Sequence, residues 1–248
     1  MAFQTDRSAW TQGRTTTADI DVGLRQYMLR VYNYMASALA LTGLMAAMVA
    51  GSPTLWSLFF QEGLRGGLSM TPLGWVVTLA PLGLVMALSF GIARMQASTA
   101  QAMFWVYAAL MGISLSSIFM VYTATSITRV FFITAASFGG LSLYGYTTRR
   151  SLSAFGSFLV MGLWGLMIAM VVNMFIASSA LHFVMSVAGV LIFAGLTAWD
   201  TQKIKEMYWV GDGGEVASKK AVMGALTLYL DFINLFIMLM RLFGDRRD

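Results

Sequence analysis

Long apolar runs separated by short polar ones set the rhythm of this chain. Seven stretches, roughly 29–50, 72–92, 101–122, 128–147, 154–175, 181–201 and 221–243, are each long enough to cross a bilayer as a helix. No window alternates apolar and polar residues over ten positions in the manner of a barrel strand. The pattern predicts an all-α polytopic membrane protein of seven transmembrane helices, with a polar segment 1–28 ahead of a transmembrane domain 29–248. Segment 1–28 has no apolar core before Leu29, so it is expected to be a cytoplasmic tail rather than a secretory signal. Its second half, from Asp19, is expected to form an interfacial helix with Asp19 and Asp21 at the favourable end. The longest connections are 51–71 and 202–220, and the second carries the turn signal Gly211-Asp212-Gly213-Gly214.

Polar residues inside the apolar runs are few and patterned. The last run, Thr227 to Phe243, reads TLYLDFINLFIMLMRLF, with Asp231 near its middle. A carboxylate at bilayer depth costs about 2.5–3.5 kcal/mol on insertion scales, so it belongs in the interior of a bundle rather than against lipid. Thr227, Asp231, Asn234, Met238 and Arg241 follow steps of 4, 3, 4 and 3, which places them on one stripe of the helix. The other faces carry Leu, Phe, Ile and Met. A second carboxylate, Asp200, ends the preceding run in GLTAWDTQKIKEMY, flanked by Thr197 and Thr201. If the chain leaves the membrane near Met207 and re-enters near Ala221, Asp200 sits about 10 Å and Asp231 about 15 Å below that surface. A gap of about 5 Å is within side-chain reach if the stripes face each other. Thr197, Thr227, Asn234 and Arg241 are the candidate lining residues around the pair.

Composition supports the membrane reading. The chain is 58% hydrophobic and 11% charged, against about 25% charged in soluble domains. Twenty methionines, with one histidine and no cysteine, read as adaptable bundle filler rather than as metal ligands. Ala87-x-x-x-Gly91 and Gly162-x-x-Gly165 are candidates for close helix approach. Arg7, Arg14, Arg25, Arg30, Arg94, Arg149, Arg150, Lys203, Lys205, Lys219 and Lys220 fall on the side of the N-terminus, eleven in all. Arg65, Arg129, Arg241, Arg246 and Arg247, five in all, fall on the other. That split predicts a cytoplasmic N-terminus. The C-terminal string RLFGDRRD runs against it, and a re-entrant last segment, with six spans, would return those arginines to the cytoplasm. The net charge of +5 belongs to loops at a membrane, and no basic run with interleaved aromatics points to nucleic acid.

Several seven-helix chemistries fail on their required residues. A retinal protein needs a lysine midway along its last helix, and Thr227–Phe243 has none. An intramembrane aspartyl protease normally carries Gly-x-Gly-Asp at its second aspartate, whereas the context here is Leu-Tyr-Leu-Asp231. A rhomboid-like serine protease needs Gly-x-Ser-Gly and a helix-borne histidine. That string is absent, and His182 stands at a helix start. No enzymatic activity and no tightly bound cofactor are expected. Asn173 reads as a helix terminus. A purely structural alternative pairs Asp200 and Asp231 with Arg94, Lys203 or Arg241 to fix helix register.

The strings GLTAWDTQKIKEMY and ALTLYLDFINLFIMLMRLFG resemble the last two helices of the Bax inhibitor-one family, also called the transmembrane Bax inhibitor motif family. The similarity extends more weakly over the whole chain, including FWVYAALMGISLSSIF. The resemblance implies a seven-helix bundle whose last helix is surrounded by the other six, placed here in the inner membrane of a bacterium. It also implies a pH-sensitive calcium leak, with a di-aspartyl sensor that maps onto Asp200 and Asp231 and a latch arginine that maps near Arg94. The residues themselves favour the same chemistry. Two facing carboxyls in a low-dielectric site cannot both ionise cheaply. Sharing a proton they hold two helices together; fully ionised they repel and attract a divalent cation, calcium being held only transiently by so few oxygens. Calcium, protons and the lipid bilayer are thus the expected partners. The alternative of a different class is a non-conducting membrane regulator that binds a membrane protease or another membrane protein.

Overall fold

A computed structural model describes residues 17–63 and 68–247. The first helix, α1 (Thr17–Gly51), is continuous from the polar segment into the first span. The separate interfacial helix expected from Asp19 is therefore the first turns of α1, because Gly23 alone is too weak a breaker to stop a helix there. The connection 51–71 has structure of its own. Ser52 accepts a hydrogen bond from Leu55 N and Pro53 takes the first position of α2 (Pro53–Phe59). Next, β1 (Phe60–Glu62) pairs antiparallel with β2 (Leu68–Met70). Thr71 and Pro72 repeat the same start for α3 (Pro72–Gly91).

Pro81 interrupts α3 without breaking it. Its missing N–H frees the Val77 carbonyl, and Ser114 of α4 (Ala97–Leu115) donates to that oxygen at 3.2 Å. Together with α5 (Ile118–Val121), beyond a break at Ser116 and Ser117, α4 covers the third span. Thr123 caps α6 (Ala124–Thr147). The next helix, α7 (Ser153–Ile176), ends at Ala177 in the left-handed region, φ 52°. There Asn173 Oδ1 accepts from Ser178 N at 3.0 Å, the terminus role read from the sequence. Ser178 then caps α8 (Ser179–Glu206).

The last helix, α9 (Gly214–Phe243), starts two turns before the expected re-entry near Ala221. Ser218, Lys219 and Lys220 are polar but helix-compatible, and Lys219 pairs with Glu215 one turn back. Those turns project past the end of α8, since Lys220 Nζ donates to the Met207 carbonyl at 3.0 Å and to Asp212. Among the described residues seven helices are long and apolar enough to cross a membrane. The protein is an all-α integral membrane protein.

The core of the bundle is α9. Its most apolar 18-residue window is 72% buried, against 11–33% for the other six spans. Leu228, Tyr229, Phe232, Ile233, Leu235 and Leu239, spread round the helix, are all buried. Tyr107 and Phe104 of α4 and Phe131 and Phe138 of α6 pack edge-on against Tyr229 and Phe232. The ring around α9 is made of α1, α4, α6 and α8 rather than of all six helices; α3 packs outside on α4 and α7 outside on α8. Close crossings also fall elsewhere than expected. A Cβ on Gly112 would meet the Thr42 carbonyl of α1, and one on Gly145 would meet the Ala198 carbonyl of α8. Of the expected positions, Gly162 of α7 does approach α8, a Cβ there lying 3.3 Å from Ile192 Cδ1, whereas Gly165 faces open space and Gly91 meets only the nearby Met95 side chain.

The chain ends at the far side of the bundle from Gly214. Thr123 N donates to the Asp245 carbonyl, Arg247 N donates to the Val121 carbonyl, and Asp245 pairs with Arg129 at 2.8 Å. This clasp ties 245–247 to the α5–α6 connection. It argues against the six-span alternative: α9 is unbroken from Gly214 to Phe243, and the basic residues after it share that end with Arg129.

Candidate functional site

The two carboxylates predicted to meet do so. Gly224 of α9 lies against Ile204 of α8. From that crossing Asp200 is about 6 Å and Asp231 about 10.5 Å deeper along antiparallel helices, a stagger of about 4.5 Å. Both side chains are buried, Asp200 to 8% and Asp231 to 5% residual exposure. Their carboxyl groups are close neighbours on the wall of one cavity. No N–H or hydroxyl of the described residues reaches the buried Oδ2 of Asp231. A carboxyl that buried, with another acid for its neighbour, needs a shared proton or a cation to remain in place.

The pair lines a cavity of about 380 Å³ between α7, α8 and α9. Thr227, Asn234 and Met238 line it with Asp231, so four of the five residues of the predicted stripe share one wall. Thr227 Oγ1 and Asn234 Nδ2 donate to the Met223 and Leu230 carbonyls of their own helix, at 3.0 and 2.8 Å. Their hydrogen-bonding capacity toward the cavity is the hydroxyl lone pairs of Thr227 and the amide oxygen of Asn234. The remaining lining is apolar, with Leu166 and Met170 of α7 and Phe193 and Leu196 of α8 among it.

Three expected participants lie elsewhere. Arg241 is exposed in the last turn of α9. Ten residues at about 100° each leave it about 80° round the helix from Asp231, beyond the cavity wall. Thr197 is fully buried, yet it donates to the Phe193 carbonyl at 2.8 Å and is absent from the wall. It stands about 60° round α8 from Asp200, toward the face that packs on α6. Arg94 is exposed in the turn after α3 and forms no ion pair with Asp200 among the described residues. Nor does Lys203 or Arg241 pair with either aspartate. Lys203 instead holds its ammonium 5.0 Å from the centre of the Trp199 ring. Among the described residues none of these cations comes within ion-pair distance of either aspartate.

Two polar networks had no sequence signal. Behind Asp200, Thr201 Oγ1 donates to the Thr197 carbonyl at 2.7 Å and meets Ser142 Oγ of α6 at 2.9 Å. Ser142 in turn meets Tyr32 Oη of α1 at 2.5 Å. Above Asp231, Tyr229 Oη meets Thr42 Oγ1 at 2.7 Å, whose other bond is to the Ala108 carbonyl at 2.8 Å. A lone Ser or Tyr in an apolar helix looks like any other. Only the helix that faces it gives it a partner.

Comparison with known proteins bears on the whole bundle. The family model described as "Inhibitor of apoptosis-promoting Bax1" matches residues 24–248. A protein of Rickettsia prowazekii is 50% identical over 242 residues, covering 96% of this chain and 99% of its own length. The inner membrane protein YbhL of Escherichia coli is 45% identical over 227 residues, 91% of this chain and 94% of its own. A protein of Caulobacter vibrioides is 44% identical over 232 residues, 92% of each chain.

Proposed function

The chain belongs to the Bax inhibitor family, and from that premise we propose that it is a pH-sensitive calcium leak gated by Asp200 and Asp231. What supports this reading is one observation: two buried carboxyls adjacent across α8 and α9, one of them with an oxygen that no donor among the described residues satisfies. Protonated, the pair shares a hydrogen bond and ties α8 to α9. Ionised, it repels itself and draws a cation into the cavity, so flux rises with pH. Two carboxylates, a threonine hydroxyl and an asparagine oxygen make a hard-oxygen site. Calcium prefers such ligands but takes 6–8 of them when held tightly. The set therefore suits passage rather than storage. We place the protein in a bacterial inner membrane, in keeping with the name of its Escherichia coli relative. The distribution of lysine and arginine puts its N-terminus in the cytoplasm.

Calcium uptake into liposomes that contain only this protein tests the reading. Uptake above that of empty liposomes, rising between pH 6 and pH 8, is expected. Liposomes no leakier than protein-free ones at every pH would refute conduction and leave a non-conducting regulator as the better account.

A further inference from the structure

The helices α1 and α6 stand on either side of α9 with a groove between them, α1 packing on α4 and α9, and α6 on α8 and α9. Two cavities follow that groove. The first, about 580 Å³, lies between α1 and α6 toward the end at which the chain begins, with Arg25 at its mouth and Leu29, Gly139 and Leu143 in its walls. The second, about 190 Å³, lies further along, between Leu39 and Phe131. Its lining is almost wholly apolar and reaches down to α9. Among the described residues the Tyr32–Ser142 hydrogen bond is the one that joins α1 to α6, and both side chains line the first cavity.

The groove is chemically graded. Arg25 is exposed and forms no ion pair among the described residues. Lys205 of α8 adjoins the wall residue Tyr146, its ammonium donating to the Tyr146 carbonyl at 2.8 Å. One end is thus cationic, and the rest is a hydrocarbon-lined trough in a protein that lies in a bilayer. Water gains nothing in such a trough. An acyl chain is the apolar filler at hand.

We propose that this groove binds one anionic phospholipid, its phosphate at Arg25 and Lys205 and an acyl chain lying along α1 toward Phe131. Length supports a single lipid: from Arg25 to Leu39 α1 rises about 21 Å, and one leaflet of a core about 30 Å thick spans about 15 Å. Charge selects the headgroup. A planar guanidinium matches a phosphate in two hydrogen bonds, and basic pockets between transmembrane helices favour anionic headgroups. A zwitterionic lipid carries its own cation beside the phosphate and gains less.

Native mass spectrometry of delipidated protein, titrated with dioleoylphosphatidylglycerol or dioleoylphosphatidylcholine, tests this. The unmodified protein should hold one phosphatidylglycerol with a preference on the order of ten-fold over phosphatidylcholine. Arg25→Gln should weaken phosphatidylglycerol about five-fold and leave phosphatidylcholine unchanged. Gly139→Leu and Gly43→Leu each start a side chain on a cavity wall where nothing lies within 4 Å of the new Cβ, so both occupy the groove. Each should abolish binding of both lipids in a protein that stays folded and monodisperse. Equal affinity for the two lipids, or full binding in both glycine variants, would overturn the proposal. Displacement by glycerol 3-phosphate at the lipid's own concentration would overturn it too, since the acyl chain would then contribute nothing.

Discussion

Replacing Asp200 or Asp231 with asparagine keeps side-chain size and hydrogen bonding and deletes the titratable charge. Two unit charges about 4 Å apart repel by about 4 kcal/mol at an effective permittivity of about 20. The doubly ionised pair is therefore a high-energy state that only a cation or a separation of α8 from α9 relieves. Over two pH units one proton is worth about 2.7 kcal/mol, so a flux tied to loss of that proton changes up to about 100-fold between pH 6 and pH 8. In either single variant the remaining carboxyl faces an uncharged amide, the like-charge penalty is gone, and the ratio should fall to within about 2-fold of unity. The double variant should add less than about 0.5 kcal/mol to that loss, because groups acting as one unit are not additive. Calcium flux into liposomes, with variants matched for yield and for gel-filtration profile, measures all three. Stability should hold or rise, as a costly buried charge has been removed. A wild-type pH ratio in both single variants would refute the di-aspartyl mechanism.

Arg94→Ala should leave the leak and its pH response unchanged, since the guanidinium is exposed and unpaired with Asp200; a higher leak at neutral pH would restore it as a latch. Gly145→Leu should cost at least about 1–3 kcal/mol, read as an earlier thermal unfolding or loss of folded yield, because its Cβ meets the Ala198 carbonyl. Gly140→Ala, which meets open space in the same helix, should instead gain about 0.5–1 kcal/mol in that assay. In this cysteine-free chain, cysteines at Ser8 and Ser151 should be shielded from an impermeant thiol reagent in intact cells, and those at Ser69, Ser178 and Asp248 should label. The reverse pattern would invert the topology.

Asp231 was legible as an interior residue from its cost alone: no amphipathic compromise exists for a carboxylate in the apolar run from Thr227 to Phe243. The same holds for the seven spans, since each apolar run is matched to bilayer thickness by its own length; the central place of α9 was implied only by the family resemblance. The meeting of Asp200 with Asp231 was legible because a hairpin fixes relative depth, and a stagger error of one turn is still within side-chain reach. What lies beyond the hairpin was not. Arg241 continues the stripe in the sequence, but ten residues on from Asp231 the helix has turned it about 80° away, off the wall that α7 and α8 close into a cavity. Arg94 shares a surface with Asp200 by topology, while the fold leaves it in a turn facing outward. Gly112 and Gly145 mark the close crossings, and nothing around them differs from Gly139 or Gly165. Side chains along a membrane helix are apolar toward lipid and toward protein alike, so periodicity cannot tell the two apart. Only the assembled bundle decides which face meets a neighbour's carbonyl and which meets a lipid tail.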